Sequence, residues 1–120
     1  MNATFLGAVF AFLAVALGAF GAHALRSRLD PQMLSVFETG VRYQFLHTLA
    51  LLVTGRRGGE APRPGADWAA SLFTVGILLF SGSLYGLALS GVPAWGAVTP
   101  FGGACFLAGW LVLAWSSWRR

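Results

Sequence analysis

Five residues able to do chemistry, Glu38, Arg42, Tyr43, Gln44 and His47, fall within ten consecutive positions. A carboxylate or an imidazole that titrates inside a membrane can couple proton or ion movement to a substrate. Two imidazoles, here His23 and His47, could in principle hold a haem iron or a zinc ion. Glu38 and Arg42 are four residues apart with the acid N-terminal, the favoured order for a helical ion pair. The expectation is that they form a structural pair that neutralises both charges, with a transport-coupled Glu38 as the functional alternative. At ~1.5 Å per residue, His47 lies ~15–20 Å deeper than His23, which sits near the end of the first apolar segment. One metal ion needs its nitrogen ligands at about 2 Å. No metal and no cofactor are therefore expected, and His47 is expected to bond to a neighbouring helix. Ser81 and Ser83 in "FSGSLYG" have no acid or base beside them that would make a nucleophile. The chain has no Gly-rich nucleotide loop, no HExxH and no GxSxG. These absences argue against an enzyme.

The elements that must position these residues are membrane-like. Hydrophobic residues make up 57% of the 120 and charged residues 10%, against about 25% charged in a soluble domain. The net charge is +4 and every basic residue is arginine. The arginines cluster at segment ends, which marks topology rather than a nucleic-acid surface. The lone Cys105 lies in an apolar run and reads as a packed small residue. Four apolar segments stand out, at about 4–25, 31–54, 68–89 and 100–118. The expected fold is all-α: a single transmembrane domain over 1–120, built as a compact bundle of four transmembrane helices. Asp30-Pro31 and Thr99-Pro100 are helix starts. "GRRGGEAPRPGAD" is a polar loop whose glycines and prolines block helix. The first segment is expected to be a true span, because Met1 to Phe5 lacks Lys and Arg and the run exceeds the usual ~7–15-residue signal core.

The second segment is polar on all sides. At about 100° per residue, Arg42 lies ~40° from Glu38, Tyr43 and His47 at ~140–180°, and Gln44 and Thr48 at ~240–280°. A charge at mid-bilayer costs roughly 2.5–3.5 kcal/mol even on the lenient insertion scale. So either the segment is enclosed by helices, or its first part, about 31–39, lies near the headgroups.

With four spans, both termini and the 55–67 loop share one side. That side holds Arg56, Arg57, Arg63, Arg119 and Arg120, against Arg26 and Arg28 on the other. The positive-inside rule then places both termini in the cytoplasm. Trp68, Trp115 and Trp118 fall at the inner interface and Trp95 at the outer one. Small residues recur at helical steps: Gly7, Ala11, Ala14, Gly18 and Ala22; then Gly82, Gly86 and Ser90; then Gly102, Cys105 and Gly109. Such stripes are expected to be helix contacts, since small residues let backbones approach closely in lipid.

Four blocks, "LGAFGAHAL", "ETGVRYQFLHTLALL", "LFSGSLYGLALS" and "VTPFGGACFLAGW", resemble the YgdD/YwdK-type inner-membrane proteins. This is domain-of-unknown-function family 423, to which small eukaryotic transmembrane proteins are related. The resemblance implies a multi-pass bacterial inner-membrane protein with about four helices, and it implies no activity. The polar positions His23, Tyr43, Gln44, His47, Ser83 and Thr99 lie in these blocks and form a candidate polar cluster opening outward. The expected function is that of a non-catalytic helix bundle acting through membrane lipids or protein contacts, without nucleic acid and as a homo-oligomer. The alternative is a minimal oligomeric transporter or channel with its site around Glu38, Tyr43 and His47.

Overall fold

The structure, a computed structural model, describes residues 2–56 and 58–118, and every regular element among them is helical. Helix α1 is Ala3–Leu25. Asn2 caps it by accepting the Phe5 amide at 3.0 Å. Helix α2, Pro31–Thr54, starts where the sequence predicts: the Asp30 carboxylate accepts the Met33 amide at 2.8 Å and Pro31 occupies the first turn. Helix α3, Pro64–Ser90, begins four residues earlier than the expected Trp68. Pro64 is suited to the first turn, so the proline expected to block helix opens one instead. Gly91, at φ +70°, ends α3 in the left-handed conformation. A short 3-10 turn, Pro93–Ala97, leads into helix α4, Thr99–Trp118.

Helix α1 packs mainly on α2, and α3 mainly on α4; α2 and α3 join the two pairs. The molecule measures 49 × 26 × 19 Å. Its core lies in the half nearer the 55–63 loop, where Ala50, Ala69, Phe73, Ile77 and Phe106 pack together beside Ala3, Leu51 and Ala70. Much of the outer surface is apolar. Phe5, Phe12 and Phe20 on α1, and Phe101, Leu107 and Leu111 on α4, are all exposed.

Three stretches are long and apolar enough to cross a membrane: Ala3–Leu25, Pro64–Ser90 and Pro93–Trp118. Helix α2 has the length, at 24 residues, but is not among the three. Its polar residues dilute its hydropathy, the feature that already set it apart in the sequence.

The small-residue stripes divide. A Cβ on Gly7 would meet Leu52 at 2.7 Å, and one on Gly18 would meet Val41 at 3.1 Å, so both hold α1 close to α2. Gly102 lies against the Phe80 backbone, and a Cβ on Gly109 would meet Phe73 at 2.7 Å, so both hold α4 close to α3. Gly86 lies under the Trp95 ring. Gly82, expected to continue that contact, faces open space with nothing within 4 Å. Two wider π-type turns interrupt otherwise regular helix: Ala16–Gly21 in α1 and Ile77–Ser81 in α3.

Candidate functional site

The polar residues of α2 divide between interior and surface. Four uncharged ones, Gln44, His47, Thr48 and Thr54, are buried, while Gln32, Ser35 and Tyr43 are exposed. The charged ones, Glu38 and Arg42, turn outward and are exposed. Burying a charge costs far more than burying an amide that keeps its hydrogen bonds, so a helix polar all round resolves into two halves.

Gln44 uses both ends of its amide. Its Nε2 donates to the Phe10 carbonyl of α1 at 2.8 Å, and its Oε1 accepts the Tyr85 hydroxyl of α3 at 2.6 Å. One side chain thus ties three helices. Tyr85 reaches it across Gly40, where an added Cβ would come within 2.7 Å of the tyrosine ring. Beside that contact the Ser81 hydroxyl donates to the Gly40 carbonyl at 2.7 Å.

His47 makes the second tie. The Trp110 indole N–H of α4 donates to its Nε2 at 3.0 Å. An indole can only donate, so Nε2 accepts and the proton sits on Nδ1. Nδ1 then donates to the Tyr43 carbonyl at 2.8 Å. The imidazole is neutral, with both nitrogens engaged. It lies flat on Phe106, with ring centroids 3.5 Å apart and planes 8° from parallel.

Ser83 and Thr99 make the third. Ser83 Oγ donates to the Phe80 carbonyl at 2.9 Å. That leaves it to accept from Thr99 at 2.5 Å, which pins the start of α4 to α3.

The expected outward-opening cluster is therefore not one site. Gln44, His47 and the Ser83–Thr99 pair are separate interhelical bonds, and the His47–Trp110 bond borders a hollow that opens on the surface. Tyr43 lies outside them, 37% exposed. Its ring rests on Phe80, with centroids 4.6 Å apart. His23 is exposed at the far end of α1 and does not meet His47. No group of three or more metal-binding side chains occurs among the described residues.

The expected Glu38–Arg42 ion pair is not formed: among the described residues no carboxylate lies within 4.0 Å of a basic nitrogen. Both side chains instead border a cleft of about 350 Å³ between α1 and α2, together with His23 and Arg26. Nothing buries them together, so no desolvation forces them to pair. A second hollow, of about 500 Å³, opens on the apolar surface between Tyr43, Phe80, Phe106 and Trp110.

Sequence reasoning missed Trp110 as His47's partner and Arg26 as a cleft residue. Trp110 had a readable signal, since an indole N–H inside a membrane needs an acceptor. Arg26 had one too, standing three residues after His23 and so on the same helix face.

Comparison with known proteins fits this architecture. Residues 17–103 match the family model described as a protein of unknown function (DUF423). A UPF0382 membrane protein of Staphylococcus epidermidis is 48% identical over 108 residues, covering 90% of this chain and 88% of the relative. The UPF0382 membrane protein YwdK of Bacillus subtilis is 42% identical over 109 residues, covering 90% and 89%. The UPF0382 inner membrane protein YgdD of Escherichia coli K12 is 42% identical over 106 residues, covering 88% and 81%. No solved structure matches the chain. The resemblance carried by the four sequence blocks is real: this all-helical membrane protein belongs to the DUF423 family.

Proposed function

We propose that the protein is a non-catalytic four-helix membrane scaffold that acts through lateral contacts with lipid and with copies of itself. The observation that carries this reading is the use of the polar groups at the middle of α2. Gln44 is bonded to α1 on one side and α3 on the other, and His47 is bonded to Trp110 of α4 and to the Tyr43 carbonyl of its own helix. Groups committed in this way rigidify a bundle, whereas a conducting path needs polar groups facing water. On this reading α2 is the fourth span. Its partners shield Gln44 and His47 from lipid, which offsets its modest hydropathy.

The same reading orients the protein in a bacterial inner membrane with both termini and the 55–67 loop in the cytoplasm. Arg56 and Arg63 support that orientation from the loop, while Arg57, Arg119 and Arg120 lie outside the described residues. Self-association is supported by the small size of the bundle and by its broad apolar exterior, where Trp68, Trp115 and Trp118 are all exposed.

The test is reconstitution of the full chain in liposomes loaded with a pH-sensitive dye. Proton flux is expected to equal that of protein-free vesicles. A flux that Glu38→Gln abolishes would replace the scaffold with a transporter.

A further inference from the structure

The cleft between α1 and α2 gathers four titratable side chains. His23 and Arg26 come from the end of α1, and Glu38 and Arg42 from α2. None of these side chains has a hydrogen-bond or ion-pair partner among the described residues. That is unexpected for Glu38 and Arg42, whose spacing is the one at which helical pairs form. Guanidinium groups without a protein partner call for an anion.

The charges define it. Two arginines and one glutamate leave a single positive charge when His23 is neutral (+2 − 1 = +1). A phosphodiester carries one negative charge and balances the set. The rest of the cleft defines what bears the phosphate. Apart from the charged side chains the wall is Gly18, with neighbouring alanines, and Val41, all small or apolar. Phe20 beside it is 76% exposed on the outer face of α1. Charged side chains interleaved with small and apolar ones suit an amphiphile and not a free ion. Gly18 also lies in the π-type turn Ala16–Gly21, and such turns within α-helices occur frequently at functional sites. This observation is independent of the charges.

We propose that this cleft binds the headgroup of an anionic phospholipid, with Arg26 and Arg42 on the phosphodiester and Glu38 setting the charge balance. The proposal rests on the reading of the chain as a bundle acting through lipid contacts, and it names the lipid class and the residues. Arg28 is on the same loop and exposed but does not line the cleft, so it serves as the internal control.

The experiment is native mass spectrometry of the purified full chain in neutral detergent, titrated with phosphatidylglycerol and phosphatidylcholine. Phosphatidylglycerol should be retained preferentially. Arg26→Gln and Arg42→Gln should each weaken its retention by roughly fivefold, the effect of one basic residue near an anionic surface. Arg28→Gln should leave it unchanged. Glu38→Gln should strengthen it, a change that loss of folding does not produce. Inorganic phosphate at millimolar concentration should not compete. Three results overturn the proposal: equal retention by the cleft variants and the wild type, an equal loss from Arg28→Gln, or displacement by inorganic phosphate. The last assigns the cleft to a free anion. If an arginine variant does not fold, Glu38→Gln decides alone, and unchanged or weaker retention refutes the site. Retention with the expected pattern alongside a Glu38-dependent proton flux would uphold the cleft and reject the scaffold reading. No flux and no selective retention would do the reverse.

Discussion

Trp110 on α4 donates its indole N–H to Nε2 of His47 on α2 at 3.0 Å and so joins the two helices. The bond fixes the imidazole as the Nδ1–H tautomer and spends the one nitrogen left free by the Tyr43 carbonyl. It also explains how a histidine can be 5% exposed in a membrane protein without a counter-ion: it is buried neutral and fully bonded.

Replacing Trp110 by Phe keeps the ring packing on Phe73 and removes only the donor. The expected loss of stability is about 0.6 kcal/mol and at most ~1.7 kcal/mol, the average and maximum measured for interhelical hydrogen bonds in lipid. His47→Phe with Trp110→Phe should cost less than the sum of the single changes, because neither partner is then orphaned. Thermal unfolding in detergent reads this out. Strictly additive losses would show that the bond contributes nothing.

The helices were largely legible in the sequence because their signals are local. Asp30-Pro31 and Thr99-Pro100 mark helix starts through capping chemistry that needs no tertiary contact. The apolar runs mark α1, α3 and α4 by length and composition. The interior of α2 was only half legible. His47 was expected to bond to another helix, but which helix depends on the rotation of α4, and no local rule fixes that. Glu38 and Arg42 illustrate the opposite error. Their spacing permits a pair, but spacing does not say whether burial enforces one, and here both face a cleft instead. The early start of α3 at Pro64 failed for a third reason. Proline blocks helix interiors and favours first turns; here it takes the first turn, with Arg63 bonded to the Thr54 and Gly55 carbonyls and Gly65 packed on Ser116.

Gly102 and Gly103 should differ sharply despite being neighbours. A methyl group on Gly102 collides with the backbone of Phe80, which cannot swing aside as a side chain can. On Gly103 the nearest atoms are on the Phe80 ring at 3.9 Å, an ordinary contact. Gly102→Ala should destabilise by roughly 1–3 kcal/mol, the usual cost of overpacking, while Gly103→Ala stays near neutral. Equal melting temperatures for the two variants would mean that α3 and α4 do not approach as closely as described.

Glu38→Gln and Arg42→Gln should be additive in lipid-free detergent. An ion pair with both members buried loses roughly 3–5 kcal/mol when one is removed, and exposed pairs couple by about 0.2–1 kcal/mol. These two residues are exposed and do not touch, so the coupling from a double-mutant cycle should be indistinguishable from zero. A coupling above ~1 kcal/mol would restore the pair that the sequence spacing favours.

Topology can be tested with single cysteines, and the structure selects the positions. Cys105 is first replaced by Ala, since it is the chain's only thiol. On the terminal side Gly58 is preferable to Gly59. Both face open space, but Gly59 has φ +87°, which strains any side chain placed there. On the opposite side Ala94 is exposed within the 3-10 turn before α4. Arginines set the expected orientation: Arg56, Arg57, Arg63, Arg119 and Arg120 flank the Gly58 side, against Arg26 and Arg28 near Ala94. An impermeant thiol reagent added to intact cells should therefore label Ala94→Cys and spare Gly58→Cys until the membrane is opened. Labelling of both positions from outside would show leaky or mixed insertion. Labelling of Gly58→Cys alone would invert the protein, and the lipid-binding cleft with its Arg26 end would then face the cytoplasmic leaflet.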